Sequence, residues 1–297
     1  MRPDTLRKHT HSEPSARSHA LPRNSRKARH LALAGLGGLL AAMVLLAPKP
    51  VRAESGKLSI DRRCVLPAQM VRLDGALERT RARIDRREPL TIVAIGSSST
   101  EGYGASSPAN TYPAQLGSLL RTRYVGEPIE VINKGRGGEV ATQTLARFGK
   151  DVYPNDPTLV IWQAGANDVV RNVPLEQFAA TLKEGLAALR SAGIDVILMP
   201  PQYAPQTAAA KQIEAYVELI EQLGDEFDVP VVQRYELMQQ LAAKDAPLLA
   251  AMLTADGLHQ NDLGYHCLAA QVAMGIDTLD AGSTGGTGGT LATTLAP

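Results

Sequence analysis

Between residues 90 and 233 the chain carries a succession of short apolar runs: Leu90–Ile95, Ile129–Asn133, Thr158–Gln163, Ile194–Met199 and Val229–Gln233. They are rich in β-branched residues and almost unbroken by polar positions, as strands buried on both faces must be. Between them, apolar positions recur at helical spacing over roughly 113–124, 139–149, 175–192, 207–227 and 236–243. Similar stretches precede the first strand (67–84) and follow the last (263–279). This alternation predicts a single three-layer α/β/α domain, flavodoxin-like in outline, with a mainly parallel sheet of about five strands. No internal repeat and no second domain is visible.

Composition narrows the class further. The chain has 297 residues, 44% hydrophobic and 21% charged, which suits a globular protein with a sizeable core and excludes wholesale disorder or a polytopic membrane protein. The net charge of +1 hides an asymmetry: residues 1–53 hold ten Lys/Arg and two Asp/Glu, so the rest is acidic. An acidic body argues against nucleic acid as the main partner, because phosphate binding needs a basic face.

The front of the chain reads as an address. A polar, basic segment is followed by the apolar run Leu31–Ala47 and then by Val51-Arg52-Ala53, with small residues placed for cleavage before Glu54. Residues 1–53 are therefore expected to be a signal peptide, with an uncleaved N-terminal anchor, the only membrane attachment, as the alternative. Residues 54–280 form the expected exported domain, periplasmic or extracellular, and the Gly/Thr-rich 281–297 a disordered tail. The chain has two cysteines, Cys64 and Cys267, both in the exported body. In an oxidising compartment such a pair is expected to bridge.

In open α/β sheets, function gathers at the carboxyl ends of the strands. Gly96-Ser97-Ser98-Ser99-Thr100 follows the first strand, Gly135-Arg136-Gly137-Gly138 the second and Gly165-Ala166-Asn167-Asp168 the third; Asp256-Gly257-Leu258-His259 comes near the end. A serine, a glycine backbone, an amide and an Asp/His pair are the parts of nucleophilic acyl transfer. The body contains two histidines, His259 and His266. His259 has an acid three residues upstream that can fix its tautomer, whereas His266 lies within the closing helix and reads as packing. Taken singly, each block has a plainer reading. The serines and Thr100 can cap a helix, the glycines can serve a tight turn, and Asn167-Asp168 can form an Asx turn. Tyr103, Gln202 and Tyr203 flank strand ends and are candidates for the substrate pocket.

Taken together, in this order, the blocks resemble the SGNH (GDSL-type) hydrolase superfamily across roughly residues 88–275. Gly96-Ser97-Ser98 stands where that superfamily usually has Gly-Asp-Ser, so Ser97 replaces the aspartate. The resemblance implies Ser98 as nucleophile, His259 as base and Asp256 as its orienting acid. It also implies Ser98, Gly138 and Asn167 as oxyanion donors, with no metal and no cofactor. The expected activity is hydrolysis of a small-molecule, lipid or glycan ester, such as an O-acetylated glycan or a lysophospholipid. Acyl transfer at the same site is the alternative, as is a non-catalytic relative that binds glycan or phosphate. A phosphate-binding flavodoxin-like protein would not need Asp256 and His259. An α/β-hydrolase would need Gly-x-Ser-x-Gly after several strands, whereas Ser98 follows the first.

Overall fold

In the computed structural model, which describes residues 56–204 and 210–281, β1 (Leu90–Gly96), β2 (Ile129–Gly135), β3 (Leu159–Gln163) and β4 (Asp195–Met199) form one parallel sheet. Its strand order is β2-β1-β3-β4. The signal or anchor segment 1–53 and the tail from 282 onward lie outside the described residues.

Successive side chains of each strand enter opposite cores. Leu90, Ile92 and Ala94 of β1 and Leu159 and Ile161 of β3 pack on α2 (Glu78–Arg86), α4 (Tyr112–Arg123) and α11 (Asp262–Ala281), through Ile84, Leu116, Leu120, Leu268, Val272 and Ile276. Val93, Ile95, Val160 and Trp162 meet α7 (Leu175–Ser191) and α8 (Ala210–Phe227), through Phe178, Leu182, Leu186, Val217 and Ile220. Period-two strands between helices with i, i+4 apolar stripes give the expected three layers. Gly185 of α7 lies flat against the Trp162 indole: a Cβ there would fall 2.4 Å from the ring.

Three elements differ from the sequence expectation. The fifth apolar run makes only an isolated parallel bridge, Leu198 to Val231. Pro230 has no N–H to give, and α9 (Arg234–Lys244), which α10 (Ala246–Ala251) follows, begins three residues after Val231, so no ladder can extend. The stretch 67–84 splits into α1 (Ala68–Val71) and α2: Arg72 is already extended, and Gly75 takes φ +140° at a point where a Cβ would fall 2.7 Å from Pro230. The stretch 139–149 stops as α5 (Ala141–Leu145), followed by a π-turn at Phe148–Val152.

The segment before α2 is fastened to α11. Cys64 and Cys267 form a disulfide spanning 203 positions of sequence. Gln271 donates to the Met70 carbonyl at 2.8 Å, and the Asp61 N–H donates to His266 Nε2 at 3.1 Å. Because His266 Nδ1 meets Gln115 Oε1 at 2.7 Å, its ring is a neutral structural bridge. Burial holds its pKa below the ordinary histidine value.

β1 has β2 on one side and β3 on the other. The connections leaving β1 and β3 therefore diverge at their carboxyl ends, the position at which open α/β sheets form their ligand crevice.

Candidate active site

The sheet ends at a turn that Ser97 anchors. Its N–H and its Oγ–H both donate to Gln163 Oε1, at 2.9 and 3.0 Å, from a site only 3% exposed. Ser97 makes no helix-capping bond through its side chain. The chain then enters the short α3 (Ser98–Glu101), so Ser98 occupies the first helical position. Its N–H is one of the donors that a helix start leaves without an intrahelical partner.

Ser98 Oγ lies 2.9 Å from His259 Nε2, and His259 Nδ1 lies 2.6 Å from Asp256 Oδ2. A carboxylate can only accept, so Nδ1 carries the proton and Nε2 presents a lone pair to the serine hydroxyl. The other carboxylate oxygen of Asp256 accepts from Thr254 Oγ1 at 2.6 Å and from the backbone N–H groups of Leu258 and His259, both at 2.9 Å. Burial opposes the charge on Asp256. The hydrogen bonds from Thr254, His259 and the backbone outweigh it and hold the carboxyl well below the usual carboxylate range.

The groups expected to serve as oxyanion donors lie on three loops. Gly138, at φ +79°, adopts a backbone that side-chain-bearing residues rarely take. Among the hydrogen bonds of the described residues, the N–H groups of Ser98 and Gly138 have no partner. Asn167, in α6 (Ala166–Val170), directs one of its two amide hydrogens to the Glu139 carbonyl at 2.9 Å; the second has no partner among the hydrogen bonds of the described residues. Asp168 ties the same loops from beneath. It is 1% exposed and accepts from the Ala141 N–H at 3.0 Å and the Gly165 N–H at 3.2 Å. Burial pushes its pKa up despite those bonds. Arg147 grips the glycine loop, bonding Glu139, Asp151 and the Lys134 carbonyl.

The remaining candidates part company. The Tyr103 ring packs 4.4 Å from the His259 ring and is 59% exposed, at the mouth of the crevice. Tyr203 is half-buried against Tyr235. Gln202 does not line a pocket: it is 2% exposed, and its amide is consumed by Ser99, Arg234 and the Leu258 carbonyl. Polar side chains that flank strand ends look alike in sequence whether they face the crevice or the core. Nothing in the sequence singles out Gln163, Thr254 or Arg147, beyond the lone polar position with which Gln163 closes the apolar β3 run.

Residues 63–279 match the model of the Non-GDSL lipase-like family. The chain belongs to that family. It is accordingly a member of the SGNH hydrolase superfamily and an enzyme acting on ester bonds. It is 26% identical over 171 residues to the thioesterase 1/protease 1/lysophospholipase L1 of Escherichia coli, covering 58% of this chain and 76% of that protein. It is also 26% identical over 193 residues to an acetylxylan esterase of Geobacillus stearothermophilus, covering 60% of this chain and 87% of that one. Among solved structures, a lipase/acylhydrolase from Enterococcus faecalis superposes with a TM-score of 0.56 at 28% identity, over 64% of this chain and 96% of that one.

Proposed function

We propose that this family member is an exported serine esterase that works through an acyl-enzyme on Ser98. The observation that carries the reading is the continuous relay from Ser98 through His259 to Asp256, at 2.9 and 2.6 Å. Ser98 Oγ attacks the ester carbonyl carbon while its proton passes to His259 Nε2. The N–H groups of Ser98 and Gly138 and the free amide hydrogen of Asn167 receive the oxyanion. Collapse breaks the C–O bond, and the departing alcohol takes the proton from His259. Water then attacks the acyl-serine, giving its proton to His259, and Ser98 leaves with that proton restored.

Export is supported by the bridged Cys64 and Cys267, together with the basic and apolar front of the chain. The signal or anchor at 1–53, the catalytic domain at 54–280 and the tail at 281–297 belong to this reading.

For substrate, we favour the acetyl ester of a glycan over a long-chain lipid ester. The crevice rim is polar: Glu101 accepts from the Gly137 N–H, and Arg171 donates to the Gly138 carbonyl. The large exposed apolar residues on the loops that carry Ser98 and Asn167 are Tyr103 and Val170. One experiment addresses both levels. The expected result is a single fluorophosphonate adduct on Ser98, lost in His259→Ala, and a higher kcat/KM for p-nitrophenyl acetate than for the octanoate. An unlabelled Ser98 in folded protein would overturn the mechanism, and a preference for octanoate would overturn the substrate class.

A further inference from the structure

Behind the crevice, one buried amide touches the neighbours of both residues that meet across it. Gln202 follows β4 and is 2% exposed. Its Oε1 accepts from Ser99 Oγ at 3.1 Å, and its Nε2 donates to the Leu258 carbonyl at 3.1 Å. Ser99 is adjacent to Ser98, and Leu258 is adjacent to His259. We propose that Gln202 is a positioning residue that sets the separation of Ser98 and His259 by clamping the nucleophile turn to the acid–base loop. This inference rests on the serine-esterase reading above.

The orientation of the clamp is dictated by its surroundings. Arg234 Nη2 donates to the same Oε1 at 3.1 Å, and Arg234 Nε donates to the Pro200 carbonyl at 2.6 Å. A guanidinium has no acceptor. A flipped Gln202 would therefore set its NH2 against Arg234 and its oxygen against the Leu258 carbonyl, losing bonds at both ends. Arg234 is itself 1% exposed, and no carboxylate pairs with it among the ion pairs of the described residues. Burial lowers its pKa to about 10, so it remains a cation at neutral pH. A buried charge needs polar partners; Gln202 Oε1 and the Pro200 carbonyl supply them to Nη2 and Nε, while the buried Nη1 has none. The chain after β4 is in this way fixed from behind, and Gln202 carries that rigidity forward to both catalytic loops.

The decisive variant is Gln202→Glu. A carboxylate at 202 still accepts from Ser99 and Arg234, which preserves the fold, but cannot donate to the Leu258 carbonyl. Gln202→Met removes both arms without adding charge. Turnover of p-nitrophenyl acetate and the rate of fluorophosphonate labelling are measured per folded molecule. In both variants kcat and the labelling rate should fall together by roughly 10- to 100-fold, the scale of a misplaced catalytic group. KM should stay within about 3-fold, because the substrate does not touch Gln202 and only the approach of His259 to Ser98 is disturbed. A kcat for folded Gln202→Glu within about 3-fold of the parent would overturn the clamp while leaving the esterase reading intact. So would a fall confined to KM. A parent enzyme that neither labels nor turns over would overturn the esterase reading, and the clamp with it.

Discussion

Asp256→Asn changes one atom of the relay and leaves its loop in place. In the parent, one carboxylate oxygen accepts three donors, Thr254 Oγ1 and the N–H groups of Leu258 and His259. The carbonyl oxygen of an asparagine can accept all of them. Its NH2 then falls where Oδ2 receives His259 Nδ1 at 2.6 Å. Two donors cannot face each other, so the imidazole must adopt the tautomer with its proton on Nε2. That nitrogen lies 2.9 Å from Ser98 Oγ and can no longer take the serine proton. In a serine hydrolase this tautomer error costs about 10⁴ in kcat, or about 5.4 kcal/mol of barrier. The assay is kcat on p-nitrophenyl acetate, beside a thermal melt to establish that the loop is intact. Retention of more than about a tenth of parent activity by folded Asp256→Asn would refute the tautomer argument. The pair of proteins also yields a pH test. Asp256 is held below its unfolded pKa, so its contribution to stability is full above the ordinary carboxylate range of about 4 and disappears as pH falls through the folded value. The stability gap between parent and Asp256→Asn should therefore narrow on acidification below about pH 4. A gap that widened would contradict the sign.

Other expectations follow from single contacts. Asn167→Ala should lower kcat by about 10²- to 10³-fold, as loss of an oxyanion donor does, with a smaller change in KM; steady-state kinetics checks it. Ser97→Asp, which restores the aspartate usual elsewhere in the superfamily, should destabilise by about 1–3 kcal/mol, the cost of a buried polar group left unpaired, and urea melts would read the loss. Replacing Cys64 and Cys267 by serine opens a link across 203 positions and should cost up to about 5 kcal/mol in the chain-entropy model. An unchanged urea midpoint would show that the hydrogen bonds of Asp61 and Met70 to α11 suffice alone.

How far the sequence alone reveals this molecule depends on the range of the forces involved. The strands and main helices were legible because burial on two faces imposes a continuous apolar run and burial on one imposes a 3.6-residue period, both local patterns. The fifth run carried the same apolar signal, yet Pro230 and the onset of α9 limit it to one bridge. The break at Gly75 has the same character, since it answers to Pro230, 155 positions away in sequence. At the crevice, Ser98 and His259 were visible because their chemistry is rare and ordered along the chain. The groups that hold them were not. Nothing near Gln202 in sequence says that it faces Ser99 and Leu258 rather than solvent, because a glutamine reveals its partners only when distant segments have come together.

The replacement of aspartate by Ser97 looks, in sequence, like damage to the nucleophile block. In the folded protein it is one half of a matched pair. Gln163 Oε1 accepts from both the N–H and the Oγ of Ser97, and Thr100 Oγ1 approaches it at 3.4 Å. Each of these contacts needs the carbonyl end of the glutamine amide. An aspartate at 97 would demand the NH2 end, and turning the amide to supply it would strip the Ser97 N–H of its acceptor. Serine is the residue that lets one glutamine at the end of β3 secure both backbone and side chain of the turn. The turn leaves Ser98 at the first helical position with its N–H free, which is what an oxyanion donor requires. The departure from Gly-Asp-Ser therefore alters how the turn is held, while Ser98 Oγ still lies 2.9 Å from His259 Nε2.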